Sequence, residues 1–465
     1  YASAIRHLNQ PLVQSFNEKG YIGIYVAPHP DDIASTGDDV RPETQTALRA
    51  RVQTGIVTEL RTIAAGDRVP MEDRVNNPKH ERLKTKSPVQ PGGEGEATDL
   101  LKKNDLDEYV YWLNRHPGRR VDVAVAPGVD PGTVSLDLMV TESKAWMIYA
   151  QASNTGTEQT DEWRERFGFI HNQLTNHDDI LSIDYITASF DEAHAVVGSY
   201  EAPFFDSRDL RWKVEAEYSE YTASDVGFAN QNFTGESWAI GGQMEWNVWQ
   251  WNETFLDVVV GARWQHVETS DETINIHGED DFFLPHIGVK FERVTNTATT
   301  LGEANFEVNV SSIAGTDAEE ITKLGRLFAD EDAMRMTFNI LHSFYLDPLI
   351  FGDAWEDTET WRTSTLAHEV VFSARGQYAF ESRLNPQRER TIGGLYSVRG
   401  YEESLVSADT AVILTAEYRF HLPRVLAPSQ DPGTLLWDQS FKWRPQFVYG
   451  RPDWDLVLRA FLDAG

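Results

Sequence analysis

The 465-residue chain carries 73 acidic and 41 basic residues, and its formal charge of -32 argues against nucleic acid, whose phosphates require a Lys/Arg surface. Its mean hydropathy is -0.44, and no stretch approaches the roughly 20 apolar residues that a membrane-spanning helix needs. These values exclude a helical membrane protein. They leave a membrane β-barrel open, because barrel strands alternate apolar and polar side chains.

Residues 1–143 mix helical and strand patterns. Apolar residues recur at helical spacing up to Gly20, and a short strand-like run, 21–27, follows. Residues 48–63 then predict one or two strands.

A second unit of the same kind follows a polar loop at residues 76–96. Leu100 to Leu113 predict an amphipathic helix that ends at Pro117-Gly118, and two strands follow at 121–126 and 134–140. The repeated helix-strand-strand order predicts two small α+β modules, which we place at 1–66 and 67–143.

From residue 144 onward, period-2 patterns replace helical ones. In Trp212 to Tyr218, apolar residues alternate with Lys and Glu, and about thirteen such segments occur, each about ten residues long. This pattern predicts an all-β transmembrane β-barrel at 144–465. A large soluble β-sandwich would also alternate. However, the polar face is charged in strand after strand, and aromatic residues crowd the strand ends, which favours the barrel.

One segment carries a family resemblance. It contains Gln377-Tyr-Ala, Leu384-Asn-Pro386 and then Ile392-Gly-Gly-Leu-Tyr-Ser-Val-Arg-Gly-Tyr401. It resembles the transporters of two-partner secretion, the TpsB or hemolysin-activator family, and their superfamily of BamA-type outer-membrane proteins. The resemblance implies that the VRGY motif, here Val398, Arg399, Gly400 and Tyr401, lies at the tip of a long loop folded into the barrel lumen.

A second motif of the same family is an aromatic residue, one further residue and then Asp-x-Gly. Phe461, Asp463 and Gly465 match it. The resemblance implies that Arg399 pairs with Asp463 across the lumen. A guanidinium and a carboxylate can meet bidentately, and either charge left alone in a partly desolvated lumen would cost several kcal/mol.

The first modules carry matching signatures. Leu113-Asn-Arg-His-Pro-Gly118, Pro127-Gly128 and Pro131-Gly132 resemble the POTRA module that precedes the barrel in this family. Gly20-Tyr21-Ile22 resembles part of an earlier POTRA. We therefore expect a partial first POTRA module at 1–66, a second at 67–143 and a barrel at 144–465. About thirteen of the family's sixteen strands are then covered, and no plug helix is visible.

The resemblance implies an outer-membrane pore of a diderm bacterium that secretes an unfolded partner exoprotein, with POTRA modules in the periplasm. It implies no enzyme activity and no cofactor, and lipid or a larger envelope complex would be further partners. A BamA-like assembly factor is the alternative. A soluble secreted β-rich protein that binds or hydrolyses polysaccharide is a third, more distant one.

Two sets of candidate metal ligands are set aside. Ala27-Pro-His-Pro-Asp-Asp32 resembles the PHPDD motif of zinc-dependent sugar deacetylases, but no His-x-x-His pair supplies a third ligand. The clusters Glu279-Asp280-Asp281 and Asp330-Glu331-Asp332 lack EF-hand spacing. We interpret these clusters as solvated loops and predict no metal site.

Overall fold

The computed structural model describes residues 2–34, 36, 38–66, 68–92, 101–128, 133–226, 231–356, 366–425, 434–436, 439–441 and 455–465. The chain divides into two compact units, Tyr1–Trp146 and Met147–Gly465. Each is described here by itself.

The described residues of the first unit form three α-helices and five strands in an α+β order. They are α1 (Ala2–Glu18), β1 (Ile24–Pro28), β2 (Ala50–Thr54), β3 (Ile56–Gly66), α2 (Glu81–Thr85), α3 (Lys103–Asn114), β4 (Arg119–Pro127) and β5 (Thr133–Glu142). β1 and β2 form an antiparallel pair. The other three strands form a sheet in the order β3-β5-β4, in which β3 and β5 are parallel.

This three-stranded sheet revises one predicted boundary. We had placed residues 56–66 in the first module, but β3 pairs with β5, and Val57 is fully buried in one core with Tyr109 and Leu136. The boundary at 66/67 is therefore wrong, because it would separate a strand from its own sheet. A strand's sequence does not reveal that its partner lies some seventy residues further along the chain.

The second unit is built on one antiparallel sheet of thirteen strands, in which neighbours along the chain are neighbours in space. The strands are β6 (Trp146–Ser153), β7 (Arg164–His171), β8 (Ile180–Ala188), β9 (Ala193–Pro203), β10 (Leu210–Val226), β11 (Gln231–Trp251), β12 (Thr254–Asp271), β13 (Ile276–Val294), β14 (Ala298–Val308), β15 (Met334–Tyr345), β16 (His368–Tyr378), β19 (Ala411–His421) and β22 (Val457–Ala464).

The remaining described elements lie between these strands. They are α4 (Ser311–Ala314), α5 (Ala318–Lys323), α6 (Asp347–Phe351), β17 (Arg390–Ile392), β18 (Val406–Ala408), β20 (Thr434–Leu436), β21 (Gln439–Phe441) and short 3-10 turns. None of the described helices combines the length and the apolar character that crossing a membrane would require.

The two faces of the large sheet differ because side chains alternate along each strand. On the face that we call outer, large apolar side chains are exposed: Ile240 at 59%, Val260 at 53% and Ile287 at 53%. The inner face carries polar residues that are shielded from solvent, among them Glu307 and Gln377. A single sheet with an apolar exterior and a polar interior is the arrangement of a membrane β-barrel, and the predicted fold class is confirmed.

The sheet is strongly curled. Twelve spacings of about 4.8 Å would put the edges of a flat sheet roughly 58 Å apart. Yet one loop touches both edge strands: Gln151 on β6 donates to the Tyr396 hydroxyl at 3.2 Å, and Arg399 donates to Asp463 on β22. The Cα atoms of Tyr396 and Arg399 are at most about 11 Å apart. The two edges must therefore approach each other around the loop.

Candidate functional site at the loop inside the barrel

The predicted motif lies in a long loop, residues 379–410, between β16 and β19. The loop contains the short hairpin β17–β18. Gly400 has a φ of +93°, which an L side chain rarely adopts, and Gly393 has a φ of +116°. A Cβ on Gly393 would also lie 2.3 Å from the carbonyl oxygen of Glu402. The glycines thus permit the tight path of the loop beside the motif.

Arg399 and Asp463 are in direct contact. Nε of Arg399 donates to Oδ2 of Asp463 at 2.7 Å, and Nη2 donates to Oδ1 at 2.9 Å. The backbone N–H of Arg399 adds a third bond to Oδ2 at 3.1 Å. The Asp463 side chain is only 2% exposed. This fork-to-fork geometry fixes the position and the orientation of the loop against β22.

Glu417 and Phe461 also contact the Arg399 guanidinium, and only Phe461 belongs to a motif recognised in the sequence. Nη1 of Arg399 donates to Glu417 on β19 at 2.8 Å, and the guanidinium carbon lies 3.5 Å from the ring centre of Phe461. Glu417 and Phe461 face each other across the β19–β22 pair. The arginine is therefore held by two carboxylates and by the face of an aromatic ring.

The other motif residues fall into two groups. A Cβ on Gly465 would lie 2.8 Å from Val398 Cγ2 and 3.0 Å from Ile392 Cγ2, so the glycine leaves room for the loop to pack against β22. Val398 is buried, whereas Tyr401 is 63% exposed. The structure thus brings Val398 to the cluster but leaves the Tyr401 side chain outside it.

A second attachment of the loop was missed by the sequence analysis. Arg388 is almost fully buried and donates to Glu307 on β14 at 3.0 Å. Arg335 donates to the same carboxylate at 2.8 Å, and Arg263 reaches it at 3.4 Å. One carboxylate therefore compensates three guanidinium groups. Arg388 lies eleven residues before the motif arginine, and no motif signal in the sequence identified it.

A third attachment joins this loop to the loop 309–333, which contains α4 and α5. Arg326 donates to both oxygens of Asp409, at 2.5 and 2.8 Å, and lies 3.0 Å from Glu389. Ile321 and Leu324 are buried with Phe282 on the inner face of β13. The loop 309–333 is thus packed against the wall and linked to the loop 379–410.

The predicted POTRA signature has a clear local role where it is described. Asn114 ends α3 and makes two bonds to the backbone of Val121: its Oδ1 accepts from the N–H at 2.6 Å, and its Nδ2 donates to the carbonyl at 3.0 Å. Leu113 is fully buried. The Leu-Asn pair therefore joins the helix to the start of β4. Pro131 and Gly132 lie outside the described residues.

The structure bears on both sets of ligands that were set aside. Asp32 of the PHPDD segment is fully buried and accepts from Arg49 Nη2 at 2.6 Å, so this carboxylate is engaged in an ion pair. Glu279, Asp280 and Asp281 lie within β13, and their assignment to a loop is wrong. Among the described residues, His266, Glu268 and Glu279 could share an ion, with ligand atoms within 4.8 Å of one another.

Known proteins that are similar to this chain include a curated relative and several solved structures. The chain is 19% identical over 345 residues to the heme/hemopexin transporter protein HuxB of Haemophilus influenzae (strain 86-028NP); the match covers 74% of this chain and 57% of HuxB. This chain thus spans little more than half the length of that relative.

Two solved structures share the fold. CdiB from Escherichia coli matches with a TM-score of 0.61 and 14% identity, over 91% of this chain and 70% of CdiB. CdiB from Acinetobacter baumannii matches with a TM-score of 0.54 and 18% identity, over 87% of this chain and 66% of that one.

The family model of the haemolysin secretion/activation proteins ShlB/FhaC/HecB matches residues 132–432, which include the loop 379–410 and most of the large sheet. This match covers more than half of the chain and agrees with the family that the motifs indicated. The chain belongs to the ShlB/FhaC/HecB family of haemolysin secretion/activation proteins.

Proposed function

We propose that this protein is an outer-membrane pore that secretes a partner exoprotein in unfolded form, with its first unit acting as periplasmic POTRA modules. Family membership supports transport, and not catalysis, as the type of activity. The observation that carries the proposal is the attachment of the loop 379–410 inside the barrel through Arg399, Asp463 and Glu417.

The loop 379–410 is held in a fixed position and shapes the passage. Its guanidinium satisfies two carboxylates on neighbouring strands, both of which are nearly buried. Removing the arginine would leave the shielded Asp463 carboxylate without its ion pair, which costs several kcal/mol, whereas Glu417 would keep Arg419. This contact therefore keeps β19 and β22 in register beside the passage and fixes the position of the loop against them.

Secretion by an Arg399→Ala variant tests this role. The variant, expressed with its partner exoprotein, should insert into the membrane at nearly the wild-type level but export at least about tenfold less partner, since a lost charge-assisted contact is worth about 1.5–3 kcal/mol. Arg293→Ala is the matched control, because Arg293 is 53% exposed and forms only a surface ion pair with Glu253. Wild-type export by Arg399→Ala would refute the proposed role of the loop.

Capture of the partner is assigned to the sheet β3-β5-β4. Strand β4 lies at the edge of this sheet, so it can accept an extended segment by strand addition, a mode driven by backbone hydrogen bonds that suits an unfolded substrate. A photo-crosslinking amino acid at Val125, which is 43% exposed on β4, should trap the exoprotein in transit. The same label at Met71, which is 78% exposed in a 3-10 turn, should not. Equal trapping at both positions would refute capture at β4.

A further inference from the structure

The basic side chains of the inner wall are almost all paired with carboxylates. Such pairs join Arg211 to Glu201, Lys213 to Glu215, Arg263 to Glu217 and Glu307, Lys290 to Glu245, Arg335 to Glu307, Arg399 to Asp463 and Glu417, and Arg419 to Glu417 and Glu369. Arg375 on β16 and Arg390 on β17 depart from this pattern: across the described part of the barrel, neither lies within 4 Å of a carboxylate.

Arg375 sits in a neutral stretch of the wall. Its partners across the strand pairs are Asn339 on β15 and Ile413 on β19. Glu303 lies in the same cross-strand row, but Asn339 separates it from Arg375. The Nε atom of Arg375 is shielded from solvent and has no hydrogen-bond acceptor. An N–H shielded in this way forfeits a bond to water and gains none from the protein.

The charges around Arg375 do not compensate it. Arg390 and Arg399 repel it, and Asp463 attracts it. Asp463 is already occupied, because both of its oxygens accept from the fork of Arg399. Of these four interacting groups, three are positive and one is negative, in a protein whose net charge is -32.

We propose that Arg375 on the inner wall and Arg390 on the loop 379–410 form an anion-binding site that takes carboxylate side chains of the polypeptide in transit. This inference rests on the proposed transport function and names the chemistry of the substrate that the passage engages. A guanidinium recognises a carboxylate bidentately, and the unused Nε–H of Arg375 supplies one arm of that contact. Because Arg390 belongs to the loop 379–410, an extended chain that passes this loop meets the site.

The test uses the purified full-length protein in detergent and titration calorimetry with three probes: a ten-residue Glu-Gly repeat, the matching Lys-Gly repeat and sodium acetate. The glutamate peptide should bind the wild-type protein, and R375Q/R390Q should weaken that binding at least about tenfold. The control R211Q/K213Q also removes two inward charges, but each of these has its own carboxylate, so binding should change less than about twofold. R375K/R390K keeps both charges and should bind with intermediate affinity.

The outcomes separate the alternatives. Equal weakening by R375Q/R390Q and R211Q/K213Q would overturn the site, and so would an absence of peptide binding. Binding of acetate without the peptide would mean a site for small free anions and would overturn the assignment to the transported chain. Heat-dependent gel migration checks that each variant is folded. If the wild-type protein exports no partner while the peptide still binds through both arginines, the transport proposal fails and the anion site is upheld.

Discussion

Arg399 uses its side chain in a way that lysine cannot reproduce. Three of its nitrogens donate to two different carboxylates, and its flat face lies on Phe461. An ammonium group offers a compact charge without the planar fork and does not stack on a ring in the same way. The contact therefore depends on the shape of the group as well as on its charge.

Arg399→Lys and Asp463→Asn are predicted to be coupled. Each single change removes the forked contact and should cost about 1–3 kcal/mol of barrel stability. The double variant should cost less than the sum of the two, because the same contact is lost only once. Heat-dependent gel migration of the four proteins measures this cycle, and additive losses would show that the two residues act independently.

Glu307 is expected to be the most sensitive carboxylate of the inner wall. It compensates Arg263, Arg335 and Arg388, so Glu307→Gln leaves Arg335 and Arg388 without a counter-charge, whereas Arg263 keeps Glu217. Breaking a buried pair of this kind costs about 3–5 kcal/mol. Urea unfolding followed by tryptophan fluorescence would measure the loss. Glu303→Gln is the matched control on the same strand, since Glu303 is exposed; a loss of similar size there would contradict the role of Glu307.

The sequence identified some of these residues and could not identify others. Arg399 and Asp463 stand in motifs with fixed spacing, so the resemblance pointed to both. Glu417 is one glutamate among many on alternating strands, and only the register of β19 with β22 brings it to Arg399. Arg388 and Glu307 are 81 residues apart, and nothing in a single sequence links two residues across a folded wall.

At the level of elements, period-2 alternation predicted the thirteen strands because one face is apolar and the other polar. The cluster Glu279–Asp281 was misassigned, because we weighed it only as a Ca²⁺ site without EF-hand spacing and interpreted it as a solvated loop. These residues lie in β13, where alternate carboxylates point to opposite faces. Helix α5 was also missed, because six residues are too few for a helical period to stand out.

The ion pairs of Arg326, which link the loop 309–333 to the loop 379–410, give a prediction at the level of elements. Arg326 binds Asp409 and Glu389, so Arg326→Ala should free the loop 379–410 from the loop 309–333 while Arg388 and Arg399 still hold it. Limited proteolysis on intact cells should then cleave residues 379–410 several-fold faster. Lys323→Ala is the control, because Lys323 pairs only with Glu320 of its own helix. Unchanged proteolysis of Arg326→Ala would contradict the proposed link between the two loops through Arg326.

The first unit should depend on pH through Glu142. Burial disfavours its ionised form, but the hydrogen bond with His80 and the charge of Arg68 outweigh burial and hold the pKa of Glu142 below its ordinary value of 4.5. Because the folded-state pKa is lowered, this carboxylate stabilises the unit above pH 4.5, and the effect fades as the pH falls through the lower folded value.

Glu142→Gln should therefore cost about 3 kcal/mol at pH 7, since Arg68 and His80 would stay shielded without a carboxylate. The difference from wild type should shrink below about pH 4.5. Hydrogen exchange of the Leu136 and Leu138 amides in the full-length protein measures it. Glu59→Gln, at a half-exposed glutamate on β3, should cost less than about 1 kcal/mol; a pH-independent effect at Glu142 would refute the assignment.

At the scale of the whole barrel, the loop 379–410 carries the motif and also links strands that are far apart in the order of the sheet. It reaches β6 through Tyr396, β14 through Arg388 and β22 through Arg399, so three widely separated strands are tied to one segment. The sequence predicted the strands but not these links between them, because curvature follows from contacts between residues that are 64 to 245 positions apart. A flat sheet could not make all three contacts.

Cross-linking tests directly whether the loop 379–410 holds strand β6, because the chain has no cysteine. The variant Q151C/Y396C should react in isolated membranes with a bifunctional thiol reagent that spans about 10 Å, since a single hydrogen bond joins the two native side chains. The pair Q151C/I240C should not react, because Ile240 lies on the outer face and is 59% exposed. Gel mobility under non-reducing conditions reports the product. An unreacted Q151C/Y396C pair in folded protein would mean that the first strand is not held by the loop, and the approach of the two sheet edges around the loop would have to be abandoned.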